Sequence, residues 1–318
     1  MISLLIPTYN RAEIAIGTVS AWRAQATTHE TEIIVLDDGS KPEHAAMLQA
    51  HLGDVSGVRL LQQDNAGLAA ARNRLLYEAS GTYLYFIDDD IRPGDEHTLA
   101  YAAERVMATG QPVVGRTRVP PEYRATVVQE LWHQRFINGT KSFTDGQQLG
   151  ITEFWFAAMI MPRTALHGER FATNFRGYGW EEHELGYRLY EHGVRVQFRA
   201  DLWYEHLDSV TLSGLLKKYE SMGAQGVTFA QLHPGPRVGL LTGSAWLSRF
   251  VKTILAYELR GERALKKLLP YADERFAAEP GALHMLSREL FMALEGAYFR
   301  GTKAALHEQR RAKRANST

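Results

Sequence analysis

Apolar and polar positions along the first hundred residues switch repeatedly between a period of two and a period near 3.6. Residues 2–6 (Ile-Ser-Leu-Leu-Ile) form a short apolar run closed by Pro7, which reads as a strand. The next segment predicts a helix from Asn10, with Glu13 as its capping-box partner and Ile14, Val19 and Trp22 along it. Residues 32–36 predict a second strand ended by Asp37-Asp38-Gly39-Ser40, and a helix with Ala45, Leu48 and Leu52 follows. Residues 58–61 predict a third strand, and residues 68–79 a helix with Leu68, Ala71, Leu75 and Ala79 on one face. Tyr83–Ile87 is the fourth strand, running directly into Asp88-Asp89-Asp90 and then Pro93-Gly94. Strands separated by single helices imply right-handed crossovers and an α/β fold, its mostly parallel sheet flanked by helices.

After residue 100 the rhythm changes. Residues 112–119 predict a strand broken by Pro120-Pro121, and residues 121–150 read as a polar, mobile or acceptor-facing stretch. Residues 153–161 predict an aromatic-rich strand, residues 175–180 a glycine and aromatic loop, residues 181–192 a helix, and residues 195–199 a strand. Trp203-Tyr204-Glu205-His206 closes this region. From about residue 212 the pattern is helical, interrupted at Pro234-Gly235-Pro236, with Leu212, Leu215, Leu216 and Tyr219 and then Trp246, Phe250 and Ile254 at helical spacing. Core or dimer packing is the first reading of these faces, and peripheral membrane contact the second.

Composition narrows the classes. The 36 basic and 36 acidic side chains balance, so no global charge calls for nucleic acid. The absence of cysteine excludes disulfides, thiolate metal sites and cysteine nucleophiles. The first residues carry no basic segment ahead of their apolar run, and no apolar stretch reaches the ~20 residues of a membrane span, so the expectation is a cytoplasmic protein. Arg300, Lys303, Arg310, Arg311, Lys313 and Arg314 face only Glu308 in the tail, a solvated helix end or a peripheral contact.

The topology directs attention to the carboxyl ends of the strands, where open α/β sheets bind ligands. There the chain places Pro7-Thr8-Tyr9-Asn10-Arg11, Asp37-Asp38-Gly39-Ser40, Asp64-Asn65-Ala66-Gly67 and Asp88-Asp89-Asp90. Acids beside a buried strand end must be hydrated, paired or bound to a cation, and a hard divalent ion shared with substrate phosphates suits them. No glycine-rich dinucleotide or triphosphate fingerprint follows the first strand.

These segments, with Ala71-Arg72-Asn73, residues 180–189 (Trp-Glu-Glu-His-Glu-Leu-Gly-Tyr-Arg-Leu) and His206, resemble in order the motifs of the family 2 glycosyltransferases. The resemblance covers roughly residues 1–210 and implies the nucleotide-diphospho-sugar transferase fold called GT-A, with residues 1–100 as nucleotide-binding half, 101–210 as acceptor-binding half, and 211–318 as a helical C-terminal extension. It implies that Pro7, Thr8, Tyr9, Arg11, Asp37, Asp38, Gly67, Arg72, Asp88 and Asp89 surround a nucleotide sugar, Arg11 on the diphosphate and Asp38 on the base or ribose. Asp37 either shares that task or caps a helix, and Arg72 either reaches the nucleotide or lies on a helix surface. Asp88 and Asp90 form the Asp-x-Asp motif, Asp90 binding Mn2+ or Mg2+ and Asp88 the ribose or a metal-bound water; Asp89 has no separate chemistry. His206 matches a late metal ligand.

The same resemblance makes Glu182 the general base, a glutamate where the family has an aspartate, which lengthens the reach by one methylene. Glu181 binds the acceptor hydroxyl or orients the loop. Trp180, Tyr178 and Trp155 stack on a sugar or pack in the core. Glu184 pairs with Arg188 one turn on. The implied reaction is metal-dependent, inverting transfer of a hexose, from a UDP-sugar first of all, to a glycan, lipid-linked or small-molecule hydroxyl. The rivals are a retaining transferase on the same fold, a nucleotidyltransferase, and a catalytically silent nucleotide-sugar-binding partner in glycan assembly.

Overall fold

The computed structural model describes the chain apart from residues 27–28, 246–251, 254–255, 273–279 and 316–318. Its residues group into two compact units. The first comprises residues 1–120, 136–173 and 182–208, and the second residues 121–135, 174–181 and 209–318.

In the first unit β1 (Ile2–Thr8), β2 (Thr31–Asp37), β3 (Val58–Gln62) and β4 (Tyr83–Ile87) alternate with α1 (Ala12–Gln25), α2 (Pro42–Leu52) and α3 (Leu68–Glu78). The four strands pair in parallel in the order β3-β2-β1-β4. Every residue of β1 is buried, because its side chains alternate between two cores. Leu4, Ile33, Val35 and Tyr85 meet Val19, Trp22 and Leu48 on one face; Leu5, Ile34, Leu36 and Phe86 meet Leu75 and Leu76 on the other. The sheet continues as β8-β6-β9-β5, from β8 (Ala158–Pro162), β6 (Val113–Arg118), β9 (Val196–His206) and β5 (Ile91–Pro93), with β7 (Gln148–Leu149) on β9. β8 runs antiparallel to β4, so strand direction reverses beside the carboxyl end of β4.

Several local expectations change. β1 runs through Pro7 to Thr8; its pairing with β4 ends at Leu5, so the missing Pro7 amide breaks no bond there. The helix begins at Ala12 without a side-chain cap, and Asn10 sits at φ 55° instead of capping. Its amide donates to Ser40 Oγ and its side chain accepts from the Lys41 amide, so a contact between loops displaces the local capping box. On α3 the expected apolar face is rotated: Leu68 is exposed, and Arg72 takes a buried place beside Ala71 and Leu75. Residues 121–150 contain the helix α5 (Val127–Thr140). Residues 153–161 do not make one strand: Phe154 and Phe156 fill the core from irregular backbone before β8 begins. The two segments at 195–199 and 203–206 are one strand, β9. α4 (Thr98–Thr109), with Leu99, Ala102, Ala103 and Val106 buried, and β5 were not foreseen.

In the second unit α7 (Leu212–Leu232), α8 (Pro236–Leu241), α9 (Tyr257–Leu268) and α10 (Pro280–Ala315) form the helical part, and α10 carries the basic tail. α7 and α10 cross closely at glycines: a Cβ on Gly223 would collide with the Tyr298 carbonyl, and one on Gly301 with that of Glu220. Among the described residues no helix is long and apolar enough to cross a membrane. Trp246, Phe250 and Ile254 lie outside the described residues.

Candidate active site

The acid triplet connects β4 to β5, and the strand pairings put its partners beside it. β5 pairs antiparallel with β9, Ile91 opposite His206, and the Leu207 amide donates to the Asp90 carbonyl at 2.8 Å. His206 is therefore a backbone neighbour of Asp90 although 116 positions separate them in sequence. Beneath the loop, Trp22 donates its indole N–H to the Ile91 carbonyl at 2.8 Å, and the Tyr85 and Tyr204 hydroxyls meet at 2.7 Å, so β4, β5 and β9 are fixed from below.

Two charge networks stand on this frame. In the first, Thr8 donates to Asp89 Oδ2 at 2.7 Å, and Arg11 spans Asp89 (3.1 Å) and Asp90 Oδ2 (2.7 Å). The same Asp90 oxygen lies 3.4 Å from His206 Nε2. Burial pushes the Asp89 carboxyl up to about 7, Arg11 opposing and Asp90 adding to the rise. Burial also works against charge on Asp90, but His206 and Arg11 outweigh it and hold that carboxyl well below the usual carboxylate range. His206 is raised despite burial, chiefly by Asp90, and the Arg11 guanidinium is likewise strengthened against burial by Asp90 and Asp89. Asp208 adds to both, a nearby acid that sequence reasoning missed although it stands two residues after His206.

In the second network Arg72, 1% exposed, reaches Asp88 Oδ1 at 2.8 Å and Glu182 Oε1 at 2.6 Å through one nitrogen. The other Glu182 oxygen accepts from the Phe156 amide at 3.3 Å, a backbone contribution no side-chain motif could announce. Glu182 is carried by α6 (Glu181–Glu191), whose Glu184–Arg188 pair forms as expected at 2.8 Å.

Asp38 accepts from Gln63 Nε2 (2.6 Å), the Ala66 amide (3.0 Å) and the Gly67 amide (2.9 Å), and so shapes the loop before α3. Gly39, at φ 76°, permits this approach, since a Cβ there would collide with the Asn65 amide. Gly67, at φ 88°, faces open space. Asp37 accepts from the Ser40 amide at 2.9 Å. Pro7 lies inside β1, and Tyr9 is 49% exposed. Trp155 stacks on Phe143 within the first unit. Tyr178, Trp180 and Glu181 belong to the second unit: the Tyr178 amide donates to Ser221, Trp180 (φ 76°) packs near Phe229, and Glu181 is buried.

Among the described residues no three His, Asp or Glu side chains converge as a metal cage. The donor set nevertheless fits a divalent ion completed by substrate oxygens. Two neighbouring ligands on one ion with bonds of about 2.1 Å stand roughly 3.0–3.4 Å apart, and Asp90 Oδ2 and His206 Nε2 are separated by 3.4 Å.

A family model described as "Glycosyl transferase family 2" matches residues 3–167, more than half of the chain. The chain belongs to glycosyl transferase family 2. Among its relatives is Validoxylamine A glucosyltransferase of Streptomyces hygroscopicus subsp. jinggangensis, 26% identical over 64% of this chain and 54% of that protein. Chondroitin synthase of Escherichia coli is 25% identical over 60% of this chain and 32% of its own length. The chain thus spans about half the length of the curated relatives it matches, or less. A solved mannosyltransferase from Pyrobaculum calidifontis, in complex with GDP-Man and Mn2+, superposes with a TM-score of 0.61 at 15% identity, over 96% of this chain and 86% of that one. The fold is that of the GT-A glycosyltransferases.

Proposed function

We propose that this glycosyltransferase is a metal-dependent inverting enzyme that moves a hexose from a nucleotide diphosphate sugar, UDP-linked by expectation, to a hydroxyl acceptor. One observation carries the reading: a buried Asp90 carboxylate faces His206 at the carboxyl end of β4, where strand direction reverses. Asp90 and His206 would hold Mn2+ or Mg2+, which when bound supplies counter-charge to the leaving diphosphate. Arg11, on an exposed edge of that site, exchanges its carboxylate partners for diphosphate oxygens. Asp38 and Gly67 shape the loop that receives the base and ribose. Glu182 accepts the acceptor hydroxyl proton; the resulting oxygen attacks the anomeric carbon, and the bond to the diphosphate breaks with its electron pair leaving on phosphate oxygen.

The curated relatives named above include a glucosyltransferase, and the solved structural neighbour holds GDP-Man, so the donor panel is UDP-glucose, UDP-N-acetylglucosamine, UDP-galactose and GDP-mannose. A true donor raises the unfolding temperature by mass action, and more with Mn2+ than with EDTA. Product from that donor carries inverted anomeric configuration by NMR. Retained configuration would replace this reading by that of a retaining enzyme, and equal stabilisation with EDTA would remove the metal from it.

A further inference from the structure

The resemblance to the family left Arg72 between nucleotide and helix surface, and the structure takes it off the surface and pairs it with two site carboxylates. Its guanidinium is buried on α3, and its carbon lies 5.4 Å from the centre of the Phe171 ring. Phe171 is itself pinned: its amide donates to Asn73 Oδ1 at 2.9 Å, its carbonyl accepts from Asn73 Nδ2 at 2.8 Å, and its ring packs edge-on against Phe86 and Phe156. Adjacent residues of one helix thus set both the cation and the aromatic wall beside it. From that seat one nitrogen bonds both Asp88, at the end of the donor-side strand, and Glu182 on α6.

Glutamate at 182 has one more rotatable bond than aspartate, and a base that swings loses alignment. Here both of its oxygens are taken, Oε1 by Arg72 and Oε2 by the Phe156 amide. Without the guanidinium, two carboxylates would face each other across the gap it fills. We propose that Arg72 is a positioning residue, which fixes the Glu182 carboxylate in register with Asp88 and so makes the longer side chain usable as a base. The proposal rests on the reading of Glu182 as that base.

A double-mutant cycle on the full chain tests it, with turnover followed as nucleoside diphosphate release from the best-used donor of the panel in the presence of Mn2+. Arg72→Met lowers kcat about 100-fold, while UDP and GDP with Mn2+, titrated calorimetrically, bind within about threefold of the wild type. In a Glu182→Gln background, Arg72→Met costs nothing further, because a residue that acts only through Glu182 has nothing left to position. Arg72→Lys, which keeps the charge, recovers part of the rate, and carries the same cycle if Arg72→Met does not fold. Losses that add in the double variant, or nucleotide binding that falls with kcat, would overturn the proposal while leaving Glu182 as the base. Full turnover by Glu182→Gln would overturn the base assignment, and Arg72's task with it.

Discussion

His183, next to Glu182 on α6, gives the sharpest prediction about stability. The residue is half-buried with its ring nitrogen Nδ1 shielded from solvent, and this desolvation moves its pKa from the 6.5 of an ordinary histidine down to about 4, a hydrogen bond with the Thr152 backbone opposing in part. Between those values the unfolded chain binds a proton that the folded chain refuses. Stability conferred by a neutral His183 is therefore complete above about pH 7 and is lost as pH falls through 6.5 toward 4. Each pH unit of difference corresponds to about 1.4 kcal/mol, so roughly 3 kcal/mol disappears by pH 4. His183→Gln, which cannot titrate, should be less stable than wild type at pH 7.5, and the gap should close or reverse on acidification. The assay is urea unfolding of both proteins from pH 4 to 8, comparing differences so that Asp89, Asp90 and His206 cancel. A difference that stays constant across this range would refute the reasoning.

Other outcomes follow from the same geometry. Asp90→Asn should abolish the extra thermal stabilisation that Mn2+ brings to UDP or GDP binding, a part of the about 2.7 kcal/mol in total that a ligand at one hundred times its Kd confers; undiminished stabilisation would remove Asp90 from the proposed metal site. Arg11→Met should bind Mn2+ without nucleotide about tenfold more tightly, ~1.4 kcal/mol, because no cation then competes for Asp90 Oδ2, as read by the EPR signal of free Mn2+. The same variant should bind UDP with Mn2+ more weakly. Gly223→Ala should destabilise the second unit by about 1–3 kcal/mol through collision with the Tyr298 carbonyl, seen as a lowered denaturation temperature.

The second and fourth strands were legible because each is followed by residues that do not continue it, Asp38-Gly39 after β2 and Asp88 after β4, whereas β1 ran on through Pro7. The sheet beyond β4 was not. Phe154 and Phe156 look like strand residues, yet they are core side chains on irregular backbone, where tertiary packing overrides propensity. The helix at Thr98–Thr109 was legible although unforeseen: Leu99, Ala102, Ala103 and Val106 have helical spacing, and Gly110 closes it in the left-handed conformation. Asn10 illustrates the opposite failure, a sound capping signal overruled by a partner 31 residues away. At the site, the motifs named the charged residues but not their pairings. Nothing local distinguishes Arg11, which spans Asp89 and Asp90, from Arg72, which joins Asp88 to Glu182; both follow from which strand end faces which helix.

The guanidinium over Asp89 and Asp90 also bears on how this protein is made and stored. Two buried acids side by side are a hazard for a nascent chain, and here the remedy is encoded three residues past Thr8. Arg11 supplies positive charge to both acids from within the chain, so folding of this loop should not require an ion. EDTA should leave the unfolding temperature of the wild type unchanged and lower that of Arg11→Met. On the proposed function, an ion would arrive with the donor and leave with the spent nucleotide, and between turnovers Arg11 would hold the two acids in its place.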